Sequence, residues 1–169
     1  MTTPSPKEQF LDAYDREHAR TMKVLRAFPQ DQLDLRPHAK LKTARELAWV
    51  FVQERGLGTA VYHNAFKDGL PPGRKLPEAP ASWDAILASL EKAHQEMGDL
   101  VRSTPDDQLN ETVKFFTGPK TLGDWTRISF LWFLLHDQIH HRGQFSIYLR
   151  MAGGKVPSIY GPSGDEPWT

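Results

Sequence analysis

The stretch from Trp125 to Met151 constrains the fold more than any other part of the chain. Trp125, Ile128, Leu131, Leu135, Ile139, Phe145, Ile147, Tyr148 and Met151 recur at helical spacing, and from Trp125 to Leu135 the apolar residues run nearly all the way round the axis. A helix apolar on every side has to be surrounded, so the rest of the chain must supply its walls. Thr121 with Asp124 reads as its opening capping pair, and Gly153-Gly154 as its left-handed stop.

Three further segments have the period needed to build those walls. From Pro6 to Phe28 the series Phe10, Leu11, Tyr14, His18, Met22 and Leu25 predicts a helix, opened by a Ser5/Glu8 capping box and closed by Pro29. Thr43 and Glu46 open a second, through Leu47, Ala48, Val50, Phe51, Leu57 and Val61 to about Phe66. Ser82 caps a third, through Trp83, Ile86, Leu87, Leu90, His94, Met97 and Val101 to about Ser103.

The connections are rich in proline and glycine. Gln30 to Lys42, with Pro37 inside, has room for one short helical turn, and Gly69, Pro71, Pro72, Gly73, Pro77 and Pro80 forbid a continuous helix between the second and third segments. Glu111 to Phe116 reads as a short extended piece before Gly118-Pro119, without a partner strand, and Lys155 to Thr169 as an ordered loop. Four helices and no strand pair predict an all-α four-helix bundle, one domain over residues 1–169, with at least one crossover connection.

Composition narrows the function. Apolar residues at 39% and charged residues at 25% belong to a folded chain, not a disordered one. Lys plus Arg number 21 and so do Asp plus Glu, so no overall field draws the chain to nucleic acid or anionic lipid, and neither is expected as a partner. The absence of cysteine removes disulfides, thiolate ligands and a cysteine nucleophile together. A polar start from Met1 to Lys7, with no run of about 18 apolar residues, makes a cytoplasmic location the expectation.

The densest chemistry is His136-Asp137-Gln138-Ile139-His140-His141, in the middle of the most apolar helix. At about 100° per residue, His136, Asp137, His140, His141 and Gln144 share an arc of about 140°, with two pairs one turn apart, His136/His140 and Asp137/His141. Such pairs suit a divalent ion, but one helix cannot complete its coordination. Glu54 on the second helix is the natural further ligand, and Gln53 and His63 lie on the same helix. Imidazoles with a carboxylate and no thiolate favour zinc or nickel, with iron or manganese next. Spacing alone leaves the other role of such a cluster open, a hydrogen-bonded polar core with no ion.

Other residues read more plainly. Arg142 suits a salt bridge to a helix acid better than a clamp on a substrate anion. His18, His38 and His94 stand singly and read as surface or packed side chains. Trp49, Phe51, Trp125, Trp132, Phe133, Phe145 and Tyr148 read as core. The run Val156-Pro157-Ser158-Ile159-Tyr160-Gly161-Pro162 is stiff enough to fold back as a lid over the histidine face, or simply to pack.

The run HDQIHHRGQ at His136 to Gln144, then Tyr148-Leu149-Arg150 and GGKVPSIYGP at Gly153 to Pro162, closely resembles the end of the DinB/YfiT-like proteins. TARELAW at Thr43 to Trp49 resembles the start of their second helix, and the match covers most of the chain in order. The resemblance implies a four-helix bundle with crossed connections, commonly dimeric, with a divalent metal held by three histidines. Some relatives are thiol transferases that use low-molecular-weight thiols such as bacillithiol or mycothiol.

The resemblance places those ligands at Val50, Asp137 and His141, so two of the three positions depart from histidine. Three outcomes stay open: a variant site from Glu54, Asp137 and His141, a register shifted to His136 and His140, or loss of the metal. The expected function is a metal-dependent hydrolase or thiol transferase on a small electrophile. Asp137 and Glu54 would serve as ligands or general base, with a small-molecule substrate and a homodimeric state. The alternative is a non-catalytic bundle that has lost the metal and serves as a ligand-binding or structural dimer.

Overall fold

The capping boxes form as their sequences dictate. In the computed structural model, which describes residues 3–69 and 76–169, helix α1 spans Pro6–Arg26 and α2 spans Ala44–Tyr62. At the N-terminus of each, the Ser5 or Thr43 hydroxyl accepts from the amide three residues on while Glu8 or Glu46 reaches back to the cap amide. Ser82 caps α3, Trp83–Ser103. Gln30–Gln32 and Asp107–Asn110 are single 3-10 turns. Pro71, Pro72 and Gly73 lie outside the described residues.

The start of the last helix differs from the sequence expectation, and so does the absence of a strand pair. Thr121–Thr126 is not the opening of a helix but strand β2, antiparallel to β1 at Thr112–Gly118, with Val113 opposite Trp125 and Phe115 opposite Gly123. Thr121-x-x-Asp124 imitates a capping box, but the β-branched and aromatic residues of Thr112 to Thr117 offer a ladder whose bonds a lone extended piece would leave unmade. Helix α4 therefore begins at Arg127, capped by the Thr126 hydroxyl, and ends at Met151. Gly153, at φ 78°, closes it in a Schellman motif, with the Gly154 amide on the Leu149 carbonyl and the Gly153 amide on that of Arg150. Helix α2 stops short of Phe66 because Asn64 turns left-handed, at φ 55°, and its side chain accepts from the Lys114 amide of β1.

The bundle is crossed. Helix α1 packs on α3 and α4, and α2 packs on the same two, so consecutive helices α1 and α2 sit on a diagonal, and so do α3 and α4. Residues 27–43 make the first diagonal crossing and the hairpin region makes the second. Gly58 marks how close α2 comes to its neighbours, since a Cβ there would meet Met97 Cε at 2.5 Å and Leu134 Cδ2 at 2.6 Å. No helix among the described residues is long and apolar enough to cross a membrane.

Along the bundle axis the core splits in two. One apolar cluster gathers Leu25, Phe28, Ala48, Phe51, Ile86, Leu90, Phe145 and Leu149, and the other Phe10, Val61, Phe66, Met97, Val101, Phe130, Leu131 and Leu135. At the level between them every helix contributes buried polar residues: Glu17, His18 and Thr21 from α1, Glu54 and Arg55 from α2, His94 from α3, Gln138 and Arg142 from α4. Most of the aromatic residues read as core do pack there, Phe51, Phe145 and Tyr148 fully, while Phe133 stays 38% exposed.

Candidate metal centre

The polar layer reaches the surface between α2 and α4. There Glu54 Oε1 lies 3.0 Å from His141 Nε2, and Asp137 Oδ2 lies 3.8 Å from the same nitrogen. One ligand atom from each of the three falls within 4.8 Å of the others. Helical geometry explains the set: Asp137 and His141 stand one turn apart on α4, and α2 brings Glu54 opposite them. Glu54 is nearly buried, with its side chain 9% exposed, while that of Asp137 is 41% exposed, so the site opens to solvent on the aspartate side.

Two features suit these residues to a cation. Glu54 Oε2 is buried and has no hydrogen-bond partner, a costly state for a carboxylate oxygen even with His141 on the other one. Two carboxylates and an imidazole are also donors that divalent ions take, and from within 4.8 Å of one another they close by about an ångström to reach the spacing of about 3.3–3.6 Å between ligands of a tetrahedral ion. Burial pushes the Glu54 carboxyl above its usual range against the opposing pull of His141, and the Asp137 charge adds to the upward push. The hydrogen bond from His141 to Glu54 outweighs burial of the ring and raises the imidazole to about 9. Two carboxylates thus gather around one site and hold a proton on the imidazole.

Gln144 orients the ring. Its Oε1 sits 2.9 Å from His141 Nδ1, which places the proton on Nδ1 and turns Nε2 toward Glu54 and Asp137. Its Nε2 donates to His140 Nε2 at 3.0 Å. The structure brings Glu54, Asp137 and His141 together and leaves His136 and His140 outside, both exposed, with His136 against Trp132. Gln53 donates to the Pro77 carbonyl, and the exposed His63 is the C-cap of α2. The orienting role of Gln144 is not legible from its place on the arc, because it depends on the rotamer of His141.

Across the layer, His18 and His94 stack at 3.7 Å with an interplanar angle of 5°. Arg55 spans the α1–α2 diagonal, donating to the Tyr14 hydroxyl, the Phe51 carbonyl and His18 Nδ1. His18 Nε2 faces Glu91, and His94 Nε2 faces Asp15. Burial, then the nearby His18, Arg55 and Arg102, hold His94 down to about 3. These histidines are packed, as single positions suggest, but packed on one another, a pairing that residues 18 and 94 cannot announce in sequence.

Arg142 is the salt-bridge partner of a helix acid, 2.6 Å from Glu17 Oε2. The Tyr160 hydroxyl donates to the same oxygen, and Lys23–Glu166 and Arg150–Asp165 tie down the tail. The tail therefore lies in the α1–α4 groove, where its acids find cations, and is not a lid over His141, which faces α2.

Residues 1–168 match the sequence pattern of the DinB family. The chain belongs to the DinB family. The uncharacterized protein YrdA of Bacillus subtilis (strain 168) is 29% identical over 160 residues, 94% of this chain and 90% of its own length. A DinB-like protein from Bacillus cereus ATCC 10987 superposes with a TM-score of 0.73 at 24% identity, covering 89% of this chain and 95% of the other. YfiT from Bacillus subtilis, described as a probable metal-dependent hydrolase with an unusual four-helix bundle topology, gives a TM-score of 0.60 at 14% identity over 92% and 93% of the two chains. These likenesses carry the fold, while the site rests on this chain's own residues. In this DinB chain Val50 offers no ligand, and Glu54, one turn further along α2, brings the carboxylate to Asp137 and His141.

Proposed function

We propose that this protein is a divalent-metal-dependent enzyme, a hydrolase or thiol transferase acting on a small electrophile, with Glu54, Asp137 and His141 as the metal ligands. The observation that carries the reading is the buried, unpartnered Glu54 Oε2 beside two further ligand-type groups. The YfiT description supports the hydrolase class by likeness of fold. Two carboxylates and one imidazole admit zinc, nickel, iron(II) or manganese. When bound, such an ion supplies Lewis acidity that brings water or a thiol to its nucleophilic form near neutral pH.

The residues divide the remaining work. Glu54, held by α2 in a dry setting, fixes the inner edge of the site. Asp137, at the solvent edge, can accept a proton from an incoming nucleophile. Gln144 keeps His141 Nε2 turned inward. With no cysteine in the chain, any thiol nucleophile comes from a second substrate.

Elemental analysis of protein purified without chelator or nickel resin tests the reading, with Glu54→Ala, Asp137→Ala and His141→Ala alongside His136→Ala. About one divalent ion per chain, lost in the first three variants and kept in the fourth, is expected. No ion in the wild type after incubation with zinc, nickel and manganese overturns it.

A further inference from the structure

Beside His141 a groove of about 470 Å³ runs along α4 toward its C-terminus. Leu47, Ile147 and Tyr148 give it apolar lining, His141 lines it from α4, and Lys40 and Lys42 line it from the loop before α2. No carboxylate lines it. The other cations of this loop region are spoken for, Arg36 by Glu46 and Arg45 by Asp34, whereas among the described residues no acid comes within ion-pair distance of the Lys40 or Lys42 ammonium, and Lys42 acts on Glu46 only through its field. The loop that carries them is held in place. The Tyr148 hydroxyl donates to the Lys42 carbonyl, the Lys40 amide donates to His38 Nδ1, and the Leu41 amide to the His38 carbonyl.

We infer that this groove binds an amphipathic anion: an apolar body along Leu47, Ile147 and Tyr148, an anionic head at Lys40 and Lys42, and an electrophilic centre at the His141 end. The inference rests on the metal-site reading in placing the reacting atom at His141. Three features point to this class. The walls are aliphatic and aromatic, so a wholly polar substrate would leave them unmatched. Two ammonium groups with no carboxylate in ion-pair contact favour a carboxylate, sulfonate or phosphate beside them. Tyr148, whose hydroxyl holds the Lys42 carbonyl, lies seven residues beyond His141, roughly 10 Å at about 1.5 Å per residue, so the loop that bears the lysines is anchored about the length of a short alkyl or aryl chain from His141.

Exposed Lys40 and Lys42 guide the approach over the range that salt screens.

The test titrates metal-free protein, kept in chelator, with hexanesulfonate, whose head group is a poor metal ligand, and with hexanol, by calorimetry at low and high salt. Hexanesulfonate is expected to bind one saturable site about tenfold tighter than hexanol, with the advantage shrinking as salt rises. The Lys40→Gln/Lys42→Gln double variant should lose that advantage and keep hexanol binding, and Ile147→Ser, at an exposed position, should weaken both ligands. Hexanesulfonate binding no tighter than hexanol, or binding the double variant as tightly as wild type, overturns the inference. Because no ion is present, that failure leaves the metal reading standing, and failure of zinc to bind leaves the groove's preference for an anion intact.

Discussion

The polar layer has two halves, and residues 54 and 55, adjacent on α2, belong to different ones. Arg55 turns into the bundle and is matched: Tyr14, the Phe51 carbonyl and His18 take its donors, and Glu17 and Arg142 close the neighbouring space as an ion pair. Glu54 turns to the α2–α4 edge and is not matched, since one oxygen has no partner. The inner half has an orphan too, His94 Nδ1, but a neutral nitrogen left unpaired costs less than a carboxylate oxygen. The histidines record the contrast. Burial and nearby cations keep His94 neutral, while the Glu54 carboxylate holds a proton on His141. The same residue type thus cements the fold in one half and prepares a ligand site in the other, and its neighbours decide which.

The sharpest way to break this comparison is to remove a matched charge. Arg142→Ala takes the buried cation from Glu17 Oε2, leaves Arg20 alone on the other oxygen and opens a cavity where a fully buried side chain stood, so stability should fall by about 3 kcal/mol, read as a shift in urea midpoint. A loss below about 1 kcal/mol would show that the inner half does not hold the bundle together.

The histidines come next, in metal-free protein. His94→Ala opens a cavity among stacked rings and should cost about 2–3 kcal/mol, whereas His141→Ala, at a site open to solvent on one side, takes the imidazolium from Glu54 and should cost about 1–2 kcal/mol near pH 7 and little above pH 9. The pH dependences should be opposite in sign. The folded pKa of His94, about 3, lies below the ordinary 6.5, so the unfolded chain binds more protons between those values and stability falls as pH drops through that window. The folded pKa of His141, about 9, lies above 6.5, so its contribution is complete below 6.5 and disappears as pH rises toward 9. Denaturation from acid to alkaline pH should show both limbs. His94→Ala should flatten the acid limb and His141→Ala the alkaline one, and an unchanged alkaline limb in His141→Ala would remove the proton from that imidazole.

The smallest effects sharpen the outer half. Gln144→Ala frees the His141 ring to turn and should weaken zinc binding about tenfold with the fold intact, whereas His140→Ala, which bonds to Gln144 and lies against the His141 ring without fixing its nitrogens, should change it less than about threefold. Competition against a zinc-sensitive dye separates the two. Equal losses would place His140 among the ligands.

Much of the fold was legible because helix signals are local. Ser5/Glu8, Thr43/Glu46, Ser82 and Gly153 each act within a few residues of themselves, so the ends they mark are visible in sequence. Thr121 with Asp124 carries the same local signal and misleads, because the β1–β2 pairing that overrides it lies in the partner strand. That a pair of ligand-type groups one turn apart on α4 meets a carboxylate from α2 follows from spacing and the number of helices, but which pair does so does not. The tail was legible as ordered but not as to where it docks, since its acids had several cations to choose among.

By itself the sequence determined the number of helices, most of their ends, the absence of a cysteine thiol in the chain and the helix that carries the ligand-type groups. All of these depend on residue type and on separations of a few residues. Only the tertiary structure decided that α1 and α2 sit on a diagonal, that His18 and His94 share one stack, that Asp137 and His141 rather than His136 and His140 face Glu54, and that Gln144 turns the His141 ring. Those outcomes depend on helix rotation and rotamer, which are set when the two apolar clusters on either side of the polar layer pack at once, and no short stretch of the chain contains that information.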